Sequence, residues 1–193
     1  MDRYKVDVLF TEPLLGTVAD GEVFKEHGPT PPDGVVPEDE METVPEVDVA
    51  TTGFHEVDGV PVLYDYVVKG FLKDACSMLR RVKGTRSSKL TAHKKVIDGL
   101  VFVTPRQIPL VVAGEPYEEV RPLRAQTAKG ERIAIARSIA LPPETTMSFE
   151  ISLLGVVSEA LLREWFDYGI LRGFGQWRNS GMGRFTYKLE AVE

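Results

Sequence analysis

Gly173-Phe174-Gly175-Gln176-Trp177-Arg178-Asn179-Ser180-Gly181-Met182-Gly183-Arg184-Phe185 sets four glycines within eleven residues, between a stretch patterned as an amphipathic helix and one patterned as a strand. Glycine reaches positive φ without steric cost and lets a ligand approach the backbone, while Arg178, Asn179, Ser180 and Arg184 supply donors suited to phosphate. The order helix, glycines, strand and the lack of Gly-Lys-Ser/Thr exclude a P-loop, and the same order excludes a dinucleotide fingerprint. A second reading treats the glycines as packing aids in a tight helix-to-strand connection.

Upstream, Ser158 is an N-cap candidate followed by Glu159. Leu161, Leu162, Trp165, Phe166, Gly169 and Ile170 then line one helical face that stops near Gly173. Downstream, 184–189 reads as a closing strand. Toward the N-terminus, 4–10 reads as a first strand ended by Thr11-Glu12-Pro13, and 67–83 as an amphipathic helix with Phe71, Leu72, Ala75, Cys76, Leu79 and Val82 on one face. Lys69, Lys73 and Arg80 form a neighbouring stripe, and the following loop is basic through Arg86, Lys89, Lys94 and Lys95. Short strands are expected at 100–103 and 108–112. Residues 133–141 and 147–154 flank Pro142-Pro143 and read as a hairpin with a rigid tip. From 16 to 65 periodicity fades and prolines and acids collect, which predicts an irregular acidic insertion at about 18–65. No solenoid-type repeat is present.

A chain of 193 residues, 43% hydrophobic, supports one core and so one domain over 1–193. One cysteine, Cys76, excludes an intramolecular disulfide and a cysteine-based zinc site. No leader-like start and no run of about 20 apolar residues is found, so a soluble cytoplasmic protein with no membrane partner is expected. The net charge of −6 conceals a segregation. Residues 1–68 hold 3 Lys/Arg against 16 Asp/Glu, net −13; residues 69–137 hold 15 against 6, net +9; residues 138–193 hold 5 against 7, net −2. Three explanations compete: a basic face for phosphates, docking of the acidic segment on the basic one, and solvation of unrelated faces.

Three stretches in order resemble the RAMP superfamily, the RNA-binding proteins of CRISPR effector complexes and crRNA-processing ribonucleases. Leu14-Leu15-Gly16-Thr17 is similar to its strand-end motif and Val68-Lys69-Gly70-Phe71-Leu72-Lys73 to its "SxKGxLR" helix opening; residues 173–185 resemble its "GxGxxRxxGxGxF" loop. Arg121-Pro122-Leu123-Arg124, Arg137 and a hairpin over 136–151 are similar to regions that carry an RNA-contacting β-hairpin. The likeness covers about two thirds of the chain, and the acidic insertion departs from it. It implies an α+β, ferredoxin-like (RRM-like) βαββαβ unit, with two helices on one face of a four-stranded antiparallel sheet and a β-hairpin extension. The sequence also looks like a family of small phage-encoded proteins, which implies a role in host interference.

The expected interface comprises Lys69, Lys73, Arg121, Arg124, Arg137, Gly173, Gly175, Trp177, Arg178, Asn179, Gly181 and Arg184. Its expected partner is single-stranded RNA, or DNA, within a ribonucleoprotein complex or together with its subunits. Trp177, Phe174 or Tyr117 would stack bases if exposed, and for Trp177 a lid on the core is the competing reading. Some RAMP-like proteins cleave RNA with a histidine and no metal. Here His27 and His93 are the weak catalytic candidates, each without a spacing-defined partner and each expected at the surface. No zinc spacing, nucleophile elbow or cofactor motif occurs, so neither a metal nor a cofactor is expected. The leading reading is a nonenzymatic binder of single-stranded RNA, as subunit or inhibitor of a CRISPR-type ribonucleoprotein. Its rivals are a protein-interaction module with a nucleic-acid-mimicking acidic segment and a metal-independent endoribonuclease.

Overall fold

The computed structural model describes residues 1–19, 51–127 and 130–192. In chain order they form β1 (Asp2–Phe10), β2 (Leu14–Leu15), β3 (Val18–Ala19), β4 (Thr52–Gly53), β5 (His55–Val57), β6 (Val60–Tyr64), α1 (Asp65–Leu79), α2 (His93–Leu100), β7 (Val101–Thr104), β8 (Gln107–Val111), β9 (Tyr117–Thr127), β10 (Gly130–Leu141), β11 (Thr146–Leu153), α3 (Glu159–Arg172) and β12 (Phe185–Val192). The architecture is α+β, with two mostly antiparallel sheets among the described residues.

In the larger, seven-stranded sheet the order is β12-β1-β11-β8-β6-β5, and β7 also pairs with β11. Period-two alternation sends Tyr4, Val6, Val8 and Phe10 of β1, and Met147, Phe149, Ile151 and Leu153 of β11, to one face. There they share a core with Val68, Phe71, Leu72, Ala75 and Cys76 of α1 and with Leu161, Leu162, Trp165 and Phe166 of α3. Cys76 is fully enclosed, and burial pushes its thiol up. Ser158 caps α3 as its sequence predicts, its Oγ accepting from the Leu161 N–H at 3.4 Å. The last turn ends at Gly173.

Several expectations need revision. The sheet is wider than four strands, and a second, five-stranded sheet has the order β2-β10-β4-β3 with β9 on the other edge of β10. The hairpin is not formed by 133–141 with 147–154. β10 pairs with β9 through eleven residue pairs, whereas β11 pairs with β1, β7 and β8 in the larger sheet. The Pro142-Pro143 segment therefore carries the chain from one sheet to the other. The hairpin's first strand, 117–127, includes the Arg121–Arg124 stretch that resembles an RNA-contacting hairpin region, but acids, arginines and a proline interrupt the apolar pattern that would mark it as a strand. Likewise 93–100 is not loop but α2, a two-turn helix that buries Ile97 beside His93 and packs Val96 and Leu100 against the core, too short for its apolar spacing to stand out among the lysines. The insertion is regular by Thr52: β4 joins the smaller sheet, and β5 and β6 extend the larger one. Most of the acidic cluster lies at 20–50, outside the described residues.

Candidate nucleic-acid interface

Residues 173–185 leave α3, turn back on themselves and enter β12. The two limbs are tied by the Phe174 N–H donating to the Gly183 carbonyl at 2.9 Å. The Gly183 N–H donates to the Pro13 carbonyl at 2.8 Å, which latches the loop to the chain leaving β1. Gly173 and Gly183 have φ of 80° and 69°, and a Cβ on either would strike the backbone of the opposite limb. Packing therefore accounts for these two glycines. Gly175 lies against the Leu15 backbone and Gly181 beside the Arg184 side chain. Phe174 is buried among Phe10, Phe71 and Phe185 and is not available to stack a base.

Between this loop and the smaller sheet is a polar network assembled from five parts of the chain. The Arg121 Nη2 donates to Ser138 Oγ at 3.1 Å and to Gln176 Oε1 at 3.0 Å. The Gln176 amide nitrogen donates to the Gly16 carbonyl at 2.9 Å and to Thr52 Oγ1 at 3.3 Å. Thr52 Oγ1 donates to the Gly16 carbonyl at 2.8 Å, so at its 2.7 Å contact with Ser138 the serine hydroxyl is the donor. Both protons of Arg121 Nη2 and of the Gln176 amide then have acceptors, whereas Arg121 Nη1 is enclosed and has no partner. Arg121 is 4% exposed, and its guanidinium is 5.1 Å from the ring of half-buried Trp177. Trp177 has φ of 53°, left-handed backbone that a non-glycine residue adopts at a cost. Burial lowers the Arg121 pKa, and Glu119 only partly opposes this.

The other expected residues fall in distinct environments. Arg178 Nη1 is 2.8 Å from Asp74 of α1, and the same carboxylate takes Arg172 Nε at 3.3 Å; Arg172 also donates to Asn179 Oδ1 at 2.6 Å. Arg184 is exposed and donates to the Leu171 carbonyl at 3.1 Å. Lys73 is adjacent to Asp74 in sequence, yet its ammonium pairs with Asp98 at 2.8 Å. Lys69 donates to the Asp98 carbonyl and covers Phe102 at 5.2 Å, so both lysines face α2 rather than the glycine-rich loop. Strand register sets Arg121 opposite Ala136 and Arg137 opposite Val120, which puts the two arginines on different faces of the hairpin. Arg124 lies on β9 opposite Ile133, and its side chain is outside the described ones. Tyr117 is exposed at the start of β9.

His93 is not at the surface. It is 8% exposed, its Nδ1 is 2.9 Å from Arg80 Nη1, and burial, then Arg80 and Lys94, lower its pKa. His27 lies outside the described residues. Among the described residues no group of three or more His, Cys, Asp or Glu is placed to hold a metal ion, and no helix is long and apolar enough to cross a membrane. Gln176, Thr52 and Ser138 were not anticipated. Gly16, Thr52, Arg121, Ser138 and Gln176 are far apart in sequence, and only folding gives them a common environment.

No protein-family model matches the chain, and no curated protein matches it. Solved structures do resemble it. A chain in the cryo-EM structure of the type III-B Cmr-beta bound to cognate target RNA superposes with a TM-score of 0.58 at 15% identity, over 100% of this chain and 61% of that one. A chain of a type IV-B CRISPR complex gives a TM-score of 0.47 at 11% identity, over 97% of this chain and 90% of that one. The first likeness establishes a shared fold, and the present chain spans 61% of that neighbour's length.

Proposed function

We propose that the chain is a nonenzymatic, RAMP-like protein that binds single-stranded nucleic acid, with RNA preferred, as a subunit or inhibitor of a CRISPR-type ribonucleoprotein. The observation that carries this reading is Arg121, a buried guanidinium with one nitrogen unsatisfied and no ion-pair partner among the described residues. An uncompensated buried charge costs several kcal/mol, and an anion that reaches that nitrogen as the groups enclosing it move aside would offset it. A phosphate is the anion a guanidinium suits best, and Trp177 beside it offers a ring to an adjacent base. The strained backbone of Trp177 and the converging glycine-rich loop support the same site.

The chain order strand, helix, strand, strand, helix, strand through β1, α1, β7, β11, α3 and β12, with lateral order β12-β1-β11-β7, supports the ferredoxin-like reading. So does the shared fold with a chain from an RNA-bound Cmr-beta structure. His93, enclosed and turned to Arg80, presents no imidazole to a substrate, which favours the binding reading over a ribonuclease built on that residue.

Arg121→Met tests the proposal. It removes the buried charge and keeps much of the side-chain volume, so affinity for single-stranded RNA should fall by about tenfold or more, the value of a charge-assisted hydrogen bond. The thermal midpoint should change little, because the hydrogen bonds lost to Ser138 and Gln176 are offset by removal of an uncompensated charge. Unchanged RNA affinity would refute the assignment of this site.

A further inference from the structure

The connection from α1 to α2, together with the first turn of α2, carries seven Lys/Arg and no acidic residue from Arg80 to Ile97. Charged loops are commonly mobile and solvated, but this one is built. The Glu164 carboxylate of α3 accepts the N–H of Arg86 at 2.7 Å and the N–H and Oγ of Ser87 at 2.9 and 2.6 Å. Trp165 Nε1 donates to the same Ser87 hydroxyl at 2.9 Å, and Thr85 Oγ1 donates to the Leu79 carbonyl at 2.8 Å. The backbone is thus pinned from beneath while the cationic side chains stay exposed.

Their charge is also left free. Lys73 is compensated by Asp98, Arg163 by Glu159, and Arg172 and Arg178 by Asp74, whereas no cation from Arg80 to Lys95 makes an ion pair among the described residues. Glu164 offsets Arg86 in part, through the field of a carboxylate already engaged by backbone. Arg80 is held by a neutral acceptor, the Nδ1 of His93, which orients the guanidinium without cancelling its charge. The proton of that neutral ring is then on Nε2, an enclosed donor without a partner.

Helix electrostatics sharpen the point. Cations at the C-terminal end of α1 are favourable, which accounts for Arg80 and Arg81. Lys94 and Lys95 are in the first turn of α2, at the positive end of its dipole, where they oppose folding and where an anion would be welcome. Val82 is the one large apolar side chain exposed between Arg80 and Lys95, too little for insertion into a lipid surface.

We infer that the Arg80–Lys95 connection is a second polyanion-binding surface, separate from the Arg121 site, that takes the phosphate backbone of an RNA strand. The inference rests on the reading of the chain as an RNA binder and adds a contact region to it.

The test is fluorescence anisotropy of a labelled single-stranded RNA against salt, with the full-length protein and a Lys83→Ala/Lys89→Ala/Lys94→Ala variant. These side chains are exposed and unpaired, so the thermal midpoint should hold, and a Lys83→Arg/Lys89→Arg/Lys94→Arg variant keeps the charge as a control. Each phosphate neutralised contributes about 0.7 to the slope of log K against log salt, so the alanine variant should flatten it by up to about 2 and the arginine variant should keep it. A wild type that binds RNA with a steep slope, joined to an alanine variant that keeps that slope, overturns this inference and leaves the Arg121 reading standing. A wild type that binds no RNA overturns both. Equal or tighter binding to polyglutamate, or to phosphatidylserine–phosphatidylcholine vesicles, overturns the assignment to RNA.

Discussion

Protonating Glu164 would withdraw the acceptor under the backbone of Arg86 and Ser87. Burial alone would raise this carboxyl, but the Ser87 hydroxyl, the two N–H groups and the Arg86 charge together bring it below its ordinary value of 4.5. A carboxyl lowered on folding contributes stability that is complete above the ordinary value and is lost as pH falls through the lowered one. Thermal midpoints of wild type should therefore decline below about pH 4.5, and those of Glu164→Gln should decline less steeply in that range. At neutral pH the variant should be less stable by about 1–3 kcal/mol, because it leaves buried donors poorly matched. Arg178 also changes character once seen in place. As an exposed loop arginine it would contribute little to folding, but bonded to a half-buried Asp74 it should cost about 1 kcal/mol when replaced by Ala, measured by denaturant unfolding. Its residue type marked it as a cation near phosphate; only the fold reveals the carboxylate that engages it. Arg121 is the opposite case, since its sequence position gave no sign of burial.

At the scale of elements, the glycine-rich loop is both a connector and a frame. Gly183→Ala puts a Cβ into the Phe174 backbone at a φ of 69°, and it should destabilise the protein by about 2–4 kcal/mol in denaturant unfolding. Gly181→Ala, which meets only the flexible Arg184 side chain, should cost less, chiefly for its φ of 87°. Equal losses would mean that crossing of the two limbs does not set the loop's shape. Such long, one-sided elements were legible: β1, α1, β11 and α3 carry regular apolar periods, and Ser158 and Gly173 punctuate α3 at its two ends. The pairing of β10 was not legible. Its apolar run at 133–141 fits either neighbour equally well, and proximity in sequence favours β11, while the partner it adopts is the broken, charged strand β9. Register across sheets depends on which faces the whole fold buries, and local pattern does not encode that.

For the molecule as a whole, the opposed charges of residues 1–68, net −13, and 69–137, net +9, set an electrostatic competition. Removing residues 33–50 should raise affinity for RNA if the acidic segment shields the basic one, read by anisotropy at fixed salt. Loss of a protein partner at constant RNA affinity would favour the interaction-module reading. Composition made this opposition plain, but where the positive charge is free was not, because ion pairing to Asp74 and Asp98 removes several cations from the count. The sole cysteine gives the molecule a chemical clock. Cys76 is sealed on the inner face of α1 beside Ser87 and Trp165, and burial raises its thiol, so a thiol-specific reagent gains access only when that region separates. Under native conditions the modification rate, followed by mass, should reach a plateau set by opening at high reagent. It should rise in Glu164→Gln and fall when RNA closes over the neighbouring basic loop, reporting engagement of that loop without any label on the nucleic acid.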